Sequence, residues 1–185
     1  EKIFLIPATG GAPRQLTFGP YHDGGPLSWS RDGRWIYFAS NRSGAAQVWK
    51  VPLEGGDPRQ VTHQGGLVAA ESSDGAWLYY TKDEADGFWR MPLRGGEEEQ
   101  VWDALPPSHR RHWVLTADGV YVMYERTDGG SGSRIGFYAF ATGALNPLVT
   151  LNASSGFALA PDGRRLLFSR IDQRESDLML VSGQM

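Results

Sequence analysis

The sequence predicts an all-β fold, and three observations support this prediction. Its 24 glycines and 11 prolines indicate frequent turns, and 12% of its residues are aromatic, which favours strands. No long window places apolar residues at the i, i+3, i+4 and i+7 positions of an amphipathic helix. Short apolar segments instead alternate with turn signals along the chain, as in a protein built from many short strands.

A repeat of about 43 residues organises these strands. Four Asp-Gly pairs recur at intervals of 42 to 44 residues, beginning at Asp32, Asp74, Asp118 and Asp162. Each pair is followed by a short apolar run, such as residues 35–38, that is too short for a helix. We therefore expect each pair to join a first strand to a second. A type I′ turn, with positive φ at both central residues, is the expected geometry.

Two further strands complete each unit. The third ends in Pro-Leu before a Gly-Gly turn, and Pro52 and Pro92 are expected at strand ends because proline cannot donate to a ladder. The fourth is residues 58–62, with related segments at 13–17, 98–102 and 146–150. Four antiparallel strands per unit are typical of a β-propeller blade. A β-sandwich is the alternative, but it has no reason to repeat both turn chemistry and strand order.

The strand count predicts one propeller domain over residues 1–185, with about four blades in this chain. The strand at 3–6 lacks its first and second partner strands, so we expect the chain to be the C-terminal piece of a larger ring. Two chains that pair their open edges, or a closed four-bladed ring, are the alternatives. The predicted units are a partial blade at 1–17, complete blades at 26–62, 67–102 and 111–151, and a three-stranded last blade at 156–181.

Composition excludes several functional classes. The 18 basic and 21 acidic residues give a net charge of -3, which does not favour nucleic acid as a partner of this segment. The chain has no cysteine, hence no disulfide, thiolate metal site or cysteine nucleophile. It has no apolar run of membrane-spanning length, so no membrane contact is predicted. No cofactor is predicted, and the compartment stays open between bacterial periplasm and cytoplasm.

The repeat also resembles a known family. Residues 29–42 read Trp-Ser-Arg-Asp-Gly-Arg-Trp-Ile-Tyr-Phe-Ala-Ser-Asn-Arg, and residues 159–169 read Leu-Ala-Pro-Asp-Gly-Arg-Arg-Leu-Leu-Phe-Ser. Both resemble the TolB-like, WD-type repeat, in which Ser-Pro-Asp-Gly precedes an inner strand, although only Pro161 keeps the proline. Residues 168–181 resemble the closing segment of propellers in acidobacterial-type proteins with an N-terminal winged-helix domain. This resemblance implies the sensory or scaffold part of a bacterial regulator.

The candidate functional residues lie in the connections between consecutive blades. In a propeller, these loops lie at one face near the channel, and all four histidines fall in them. Histidine and aspartate suit divalent ions, and arginine suits carboxylate, but no metal site is assigned. We predict that this face binds a protein, peptide or small ligand. The predicted residues are Tyr21, His22, Asp23, His63, Gln64, His109, Arg110, Arg111 and His112.

The function predicted from these observations is a non-catalytic binding module. No Gly-x-Ser-x-Gly nucleophile motif occurs in the chain. One alternative is the propeller of a peptidase whose catalytic domain lies outside this chain, and another is a metal-dependent TolB-like polysaccharide lyase. The open blade edges also predict a homodimer. Six tryptophans are expected mostly in the core between blades: Trp29, Trp35, Trp49, Trp77, Trp89 and Trp113.

Overall fold

The chain folds entirely as β-strands and turns over the residues that the structure describes. This computed structural model describes residues 1–105, 111–126, 132–151 and 156–169. These residues form sixteen strands and no helix, and they form three four-stranded and two two-stranded antiparallel sheets. Within them, no helix has the length and hydropathy to cross a membrane. The predicted all-β class with four-stranded antiparallel sheets is confirmed.

The sheets follow one another along the chain, and within each complete sheet the strands are arranged in sequence order. We number the sheets I to V. Sheet I contains β1 (Phe4–Leu5) and β2 (Arg14–Gln15). Sheet II contains β3 (Asp23–Trp29), β4 (Trp35–Ser43), β5 (Ala45–Pro52) and β6 (Arg59–Gln60).

The other three sheets repeat the same antiparallel order. Sheet III contains β7 (Val68–Glu71), β8 (Trp77–Thr81), β9 (Phe88–Pro92) and β10 (Glu99–Trp102). Sheet IV contains β11 (Trp113–Leu115), β12 (Gly119–Glu125), β13 (Ser133–Ala139) and β14 (Ala144–Leu151). Sheet V contains β15 (Phe157–Leu159) and β16 (Leu166–Phe168). The third strand predicted for the last unit falls outside the described residues.

The hydrophobic core is divided into layers between consecutive sheets. Between sheets I and II, Ile3 and Leu16 pack on Ile36, Phe38 and Val51, all of which are buried. Burial of such apolar side chains is the main source of attraction between the sheets. Each complete sheet is therefore covered on both faces, as in propeller blades. The other layers join Tyr37 and Val48 to Ala69, Leu78 and Tyr80; Tyr79 and Phe88 to Val120, Val122 and Tyr138; and Met123, Ile135 and Leu151 to Phe157 and Leu166.

The repeat extends to single hydrogen bonds. The backbone N–H of Ile3 donates to Thr17 Oγ1 at 3.0 Å, and 45 residues later the N–H of Val48 donates to Thr62 Oγ1 at 2.9 Å. The N–H groups of Gly10, Gly55 and Gly95 each donate to the carbonyl of the proline three residues earlier. Pro52 and Pro92 end their strands, as predicted. The similarity between segments 13–17 and 58–62 thus reflects the same local structure.

The Asp-Gly turns differ from the predicted type I′ geometry. No described residue other than glycine has a positive φ, so the aspartates do not occupy the left-handed region. The N–H of Gly33 donates to the carbonyl of Ser30 at 2.9 Å, and Gly33 has φ 67°. The glycine is therefore the last residue of a four-residue turn rather than one of its two central residues. Gly75 and Gly163 repeat this arrangement. Because the N–H of Ser30 donates to the carbonyl of Trp35, residues 31–34 form a four-residue hairpin loop, a length that is most often built around a type I turn.

Gly119 is the exception among the four pairs, because its φ is not positive. A Cβ at this position would lie 2.2 Å from the carbonyl oxygen of Tyr138 and 2.6 Å from the Phe137 ring. Glycine is needed here for the close approach of the neighbouring strand β13 rather than for backbone conformation. The sequence spacing is the same in all four units, but the physical reason for glycine differs in this one.

The prediction of a tryptophan core is wrong for Trp29. Its side chain is 54% exposed, whereas Trp35, Trp49, Trp77, Trp89 and Trp113 are half-buried. The corresponding residue of sheet III is Glu71, which accepts hydrogen bonds from the Tyr37 hydroxyl and the Arg31 N–H of sheet II. Among the described residues, sheet I consists of β1 and β2 alone, and no hydrogen bond of this kind reaches Trp29.

Candidate binding face at the loop end

The antiparallel strands give each sheet two chemically different ends. We call one the turn end, because it carries the Asp-Gly and Gly-Gly turns that join first to second and third to fourth strands. We call the other the loop end, because it carries the connections between consecutive sheets and those between second and third strands. Asp23 pairs with Ser40 at the loop end, and Trp29 pairs with Ile36 near the turn end. All described candidate residues lie at or beside the loop end.

A cleft of about 310 Å³ lies at the loop end, where elements of three sheets meet. His22 precedes sheet II, Leu67 and Asp83 belong to connections of sheet III, and Arg111 precedes sheet IV. The structure thus brings His22 and Arg111, 89 positions apart in the printed sequence, into one cleft. Acidic, basic and amide groups are mixed in its lining. Its lining is Glu1, His22, Gly24, Gly25, Ala39, Ser40, Asn41, Ala46, Leu67, Asp83 and Arg111.

Asp23 has a structural environment that differs from those of its neighbours. Its side chain is fully buried, and its carboxylate accepts hydrogen bonds from Ser40 Oγ at 2.6 Å and from Arg42 Nε and Nη2 at 3.1 and 2.6 Å. Lys2 Nζ lies 3.8 Å from Oδ2. Both carboxylate oxygens are therefore committed to partners within the protein. Asp23 fixes the start of β3 against β4 and holds the neighbouring loop in place.

Tyr21 and His22 project from the same loop. Tyr21 is 36% exposed, and the Arg42 guanidinium lies 4.6 Å from its ring centroid, which is a cation–π distance. The backbone N–H of His22 donates to Asn41 Oδ1 at 2.9 Å, while the imidazole is exposed. Arg42 therefore links the buried Asp23 to the exposed aromatic ring above it. This arrangement holds the His22 backbone at the edge of the cleft.

His63 and Gln64 line two other clefts, between sheets II and III. These clefts measure about 290 and 510 Å³, and Lys82 also lines both. Lys82 is buried, forms an ion pair with Glu98, and lies 3.7 Å from the Trp89 ring centroid. Burial raises the pKa of the Tyr80 hydroxyl, and its hydrogen bond to Glu98 raises it further. These partners satisfy one another, so the cluster stabilises the sheet interface.

The remaining predicted residues belong to the connection before sheet IV. His112 is exposed, and its carbonyl accepts the N–H of Met123 at 3.0 Å. His109 and Arg110 lie outside the described residues. Among the described residues, no group of three or more His, Cys, Asp or Glu side chains has the geometry to hold a metal ion. The four histidines thus share a face in the sequence pattern without a described metal cluster.

Sequence reasoning missed the backbone and amide part of the cleft. Gly24, Gly25 and Asn41 line it. A glycine pair also precedes the first strand of sheet III, at Gly65 and Gly66, but there Leu67 stands where Pro26 follows the pair in sheet II. That departure from the repeat was the available signal, because a glycine pair inside a strand marks a bulge or a close approach. Asp83 was missed because its loop joins second and third strands. The prediction considered only loops between blades.

Comparisons with known proteins identify a family for this architecture. The sequence profile described as PD40, the TolB beta propeller domain, matches residues 1–135. An uncharacterized protein of Agrobacterium fabrum is 33% identical over 88 residues, covering 46% of this chain and 30% of that protein. The Tol-Pal system protein TolB of Bordetella pertussis is 40% identical over 58 residues, covering 31% of this chain and 13% of TolB. The chain spans less than a third of these curated relatives.

Solved structures share the fold with this chain. The crystal structure of TolB from Acinetobacter baumannii matches with a TM-score of 0.73 and 18% identity, covering 92% of this chain and 43% of that one. An oligogalacturonate lyase in complex with manganese matches with a TM-score of 0.61 and 15% identity, covering 91% of this chain and 59% of that one. At these identities the similarity is one of fold alone, which hosts both enzymes and other proteins.

Proposed function

Because this chain belongs to the TolB beta propeller domain family, we propose that it is a non-catalytic module that binds a peptide segment of a protein partner at the loop end. The observation that carries this proposal is the cleft of about 310 Å³ in which elements of sheets II, III and IV converge. Loops held by a rigid sheet scaffold are the usual place for binding groups. The curated Bordetella relative is named as part of a protein system, the Tol-Pal system, which supports a protein partner.

The mixed chemistry of the cleft also supports a peptide. A peptide presents N–H donors, carbonyl acceptors and side chains of either charge, and the cleft offers His22, Asn41, Asp83 and Arg111 to them. Specific pockets combine a few such polar groups with apolar lining, here Ala39 and the buried Leu67 among others. A small ligand that carries similar polar groups is the alternative occupant of this cleft.

We further propose that the binding module serves as the sensory or scaffold part of a bacterial regulator. The support is the resemblance of residues 168–181 to the closing segment of propellers that follow winged-helix domains. In such a protein, ligand capture at the propeller would be separated from DNA contact in another domain. The net charge of -3 on this chain is consistent with that division of labour.

The experiment that tests peptide binding uses the 185-residue chain and a pool of short random peptides. The peptides that it retains are resynthesised, and fluorescence anisotropy measures their affinities for the unchanged chain, a double variant of the cleft and a control variant. We expect His22→Ala/Arg111→Ala to weaken binding at least about tenfold, a loss of about 1.4 kcal/mol. Arg94→Ala, which removes an exposed arginine at the turn end, is the matched control and should leave affinity unchanged. Retention of no peptide, or equal loss in both variants, overturns the proposal.

We also propose that the open edges favour a homodimer. Phe4 in β1 and Leu167 in β16 are 55% and 75% exposed, and Ile6, directly after β1, is 54% exposed. Exposed apolar side chains at a free sheet edge promote association. Light scattering coupled to size-exclusion chromatography measures the mass. A defined species of twice the chain mass supports the homodimer, and a monomer across the tested concentrations overturns it.

A further inference from the structure

The first strand of sheet II is the only complete first strand among the described residues whose ladder is interrupted. Gly24 pairs with Ala39 and Ser28 pairs with Tyr37, so three residues of β3 oppose one of β4. Strands β7 and β11 pair with their neighbours without such a break. The bulge lies beside the cleft, and Gly25 within it has φ 80°. Bulges re-aim backbone groups, often next to binding sites.

Arg111 reaches this bulge from the connection that precedes sheet IV. Its Nη1 lies 3.4 Å from the point where a Cβ on Gly25 would stand, so the guanidinium lies against backbone that carries no side chain. Arg111 is exposed and forms no hydrogen bond or ion pair with any residue that the structure describes. The cleft therefore contains a cation whose donors are not used within the described protein.

A carboxylate already lies in the same cleft. Glu1 Oε2 is 2.2 Å from the Cβ position of Gly24, so this carboxylate occupies space that any other residue at 24 would fill. Of the other titratable groups that line the cleft, Asp83 has a partner within the protein and His22 is exposed. The glycine pair thus admits an acidic group at one residue and holds an arginine at the next.

From this arrangement we infer that the cleft recognises a carboxylate of the bound peptide, either its C-terminus or an Asp or Glu side chain, through the Arg111 guanidinium above Gly25. The inference rests on the proposed peptide-binding function and names the chemistry of that same site. A guanidinium presents paired N–H donors that match the two oxygens of a carboxylate. Gly24 and Gly25 let the carboxylate approach the backbone, and the Glu1 carboxylate competes for the same space.

The test uses acidic peptides selected on the 185-residue chain, each compared with two neutralised forms. One form carries a C-terminal amide, and the other replaces Asp and Glu by Asn and Gln, so the two forms separate the two sources of carboxylate. We expect one of them to bind at least about tenfold more weakly, since charge-assisted hydrogen bonds are lost. Arg111→Gln should weaken binding of the acidic peptide by a similar factor, so that the acidic peptide and its neutral form bind this variant with equal affinity. The affinity of Arg111→Lys for the acidic peptide should lie between those of wild type and Arg111→Gln, because lysine keeps the charge without the paired donors.

Two further variants separate this inference from a general electrostatic effect. Glu1→Gln should increase the affinity for the acidic peptide several-fold, because it removes the competing carboxylate. Arg94→Gln, at the turn end, should change nothing. Circular dichroism should be unchanged in Arg111→Gln, because no described intramolecular bond is lost.

The possible failures are distinguishable. If no peptide binds, the peptide-binding function and the carboxylate inference both fail. If peptides bind but both neutralised forms bind as well as the acid, or if Arg111→Gln weakens acidic and neutral forms equally, only the inference is overturned. Affinity lost to the same extent in Arg94→Gln also overturns it.

Discussion

The turn end and the loop end of the sheets are built on opposite principles. At the turn end, the same bonds recur from unit to unit. Asp32 Oδ1 accepts a hydrogen bond from Ser30 Oγ at 2.6 Å and another from the Arg34 N–H at 3.0 Å. Asp74 accepts the equivalent hydrogen bonds from Ser72 and Ala76. At the loop end, the threonine bonds of Thr17 and Thr62 also recur, but other features occur once. Asp23, the Lys82–Glu98 pair and the bulge at Gly25 each occur in one unit among the described residues.

This difference shows how a repeat protein separates stability from function. A repeated turn needs only local partners, so the same residues serve every unit and the sheets keep the same geometry. A binding face needs groups that differ around the ring, because identical loops would offer one chemistry only. Departures from the repeat are thus the better guide to function, whereas adherence to it indicates structure.

The largest expected effect on stability is at the loop end. Asp23→Ala would leave Arg42, whose side chain is 12% exposed, without its carboxylate and Ser40 without its acceptor. Removal of one partner of a buried ion pair costs about 3–5 kcal/mol. Urea denaturation followed by tryptophan fluorescence measures the loss. Asp57→Ala, which changes an exposed loop acid, is the control, and equal losses would contradict a structural role for Asp23.

Two glycines of the turn end should respond to substitution for different reasons. Gly119→Ala would place its Cβ 2.2 Å from a backbone oxygen, and overpacking of this kind costs about 1–3 kcal/mol. Gly33→Ala meets no atom within 4 Å, but its left-handed φ costs about 1 kcal/mol. Asparagine tolerates that region, so Gly33→Asn should recover part of the loss while Gly119→Asn should not. Thermal unfolding measures these losses, and a higher stability of asparagine than alanine at both positions would contradict the two different reasons for glycine.

The serine of the turn should have a smaller effect. Ser30→Ala would remove the hydroxyl that donates to Asp32 and accepts the N–H of Trp35 at 2.9 Å. The loss of one partly buried acceptor costs about 1–2 kcal/mol. The last unit has Ala160 at this position, so Ala160→Ser should stabilise the protein by less than about 1 kcal/mol. Urea midpoints that move in the same direction for both variants would disprove this role.

The smallest expected effect is a dependence on pH. The hydrogen bond from Ser30 lowers the pKa of Asp32, with a smaller contribution from the Arg34 N–H, and Ser72 does the same for Asp74. A carboxyl whose pKa is lower in the folded state stabilises fully above its unfolded pKa of about 3.9, and this contribution is lost as pH falls towards the folded pKa. Ser30→Ala/Ser72→Ala should therefore lose less stability than wild type on acidification. A parallel pH profile would disprove this.

Sequence reasoning recovered the repeated part of the fold well. The periodic Asp-Gly pairs and the apolar runs after them located strands such as β4, β8 and β12, because each depends on neighbouring residues. The turn type was predicted wrongly, since Asp-Gly suits several hairpins and only the bonding of Gly33 to Ser30 distinguishes them. The exposure of Trp29 was missed as well. The apolar pattern of a strand does not show which of its side chains a neighbouring sheet will cover.

The candidate site was predictable only in part. The loops between blades were predicted from the strand order of the repeat, all four histidines fall in them, and their binding role stays a prediction. Asp23 could not be separated from its neighbours by sequence, because its pairing with Arg42 depends on the alignment of two strands. Arg111 and Gly25 lie far apart in the chain, so the position of Arg111 Nη1 at 3.4 Å from where a Cβ on Gly25 would stand follows from the packing of separate sheets.

By itself, the sequence determined that this protein is all-β, that its strands come in fours, and where its turns fall. These properties follow from local rules of alternation, glycine conformation and the missing N–H of proline, which act over a few residues. Only the tertiary structure decided which polar groups are buried with partners and which remain open to a ligand. That outcome depends on how separate sheets pack, which brings distant residues such as His22 and Arg111 into one cleft and commits Asp23 to Arg42.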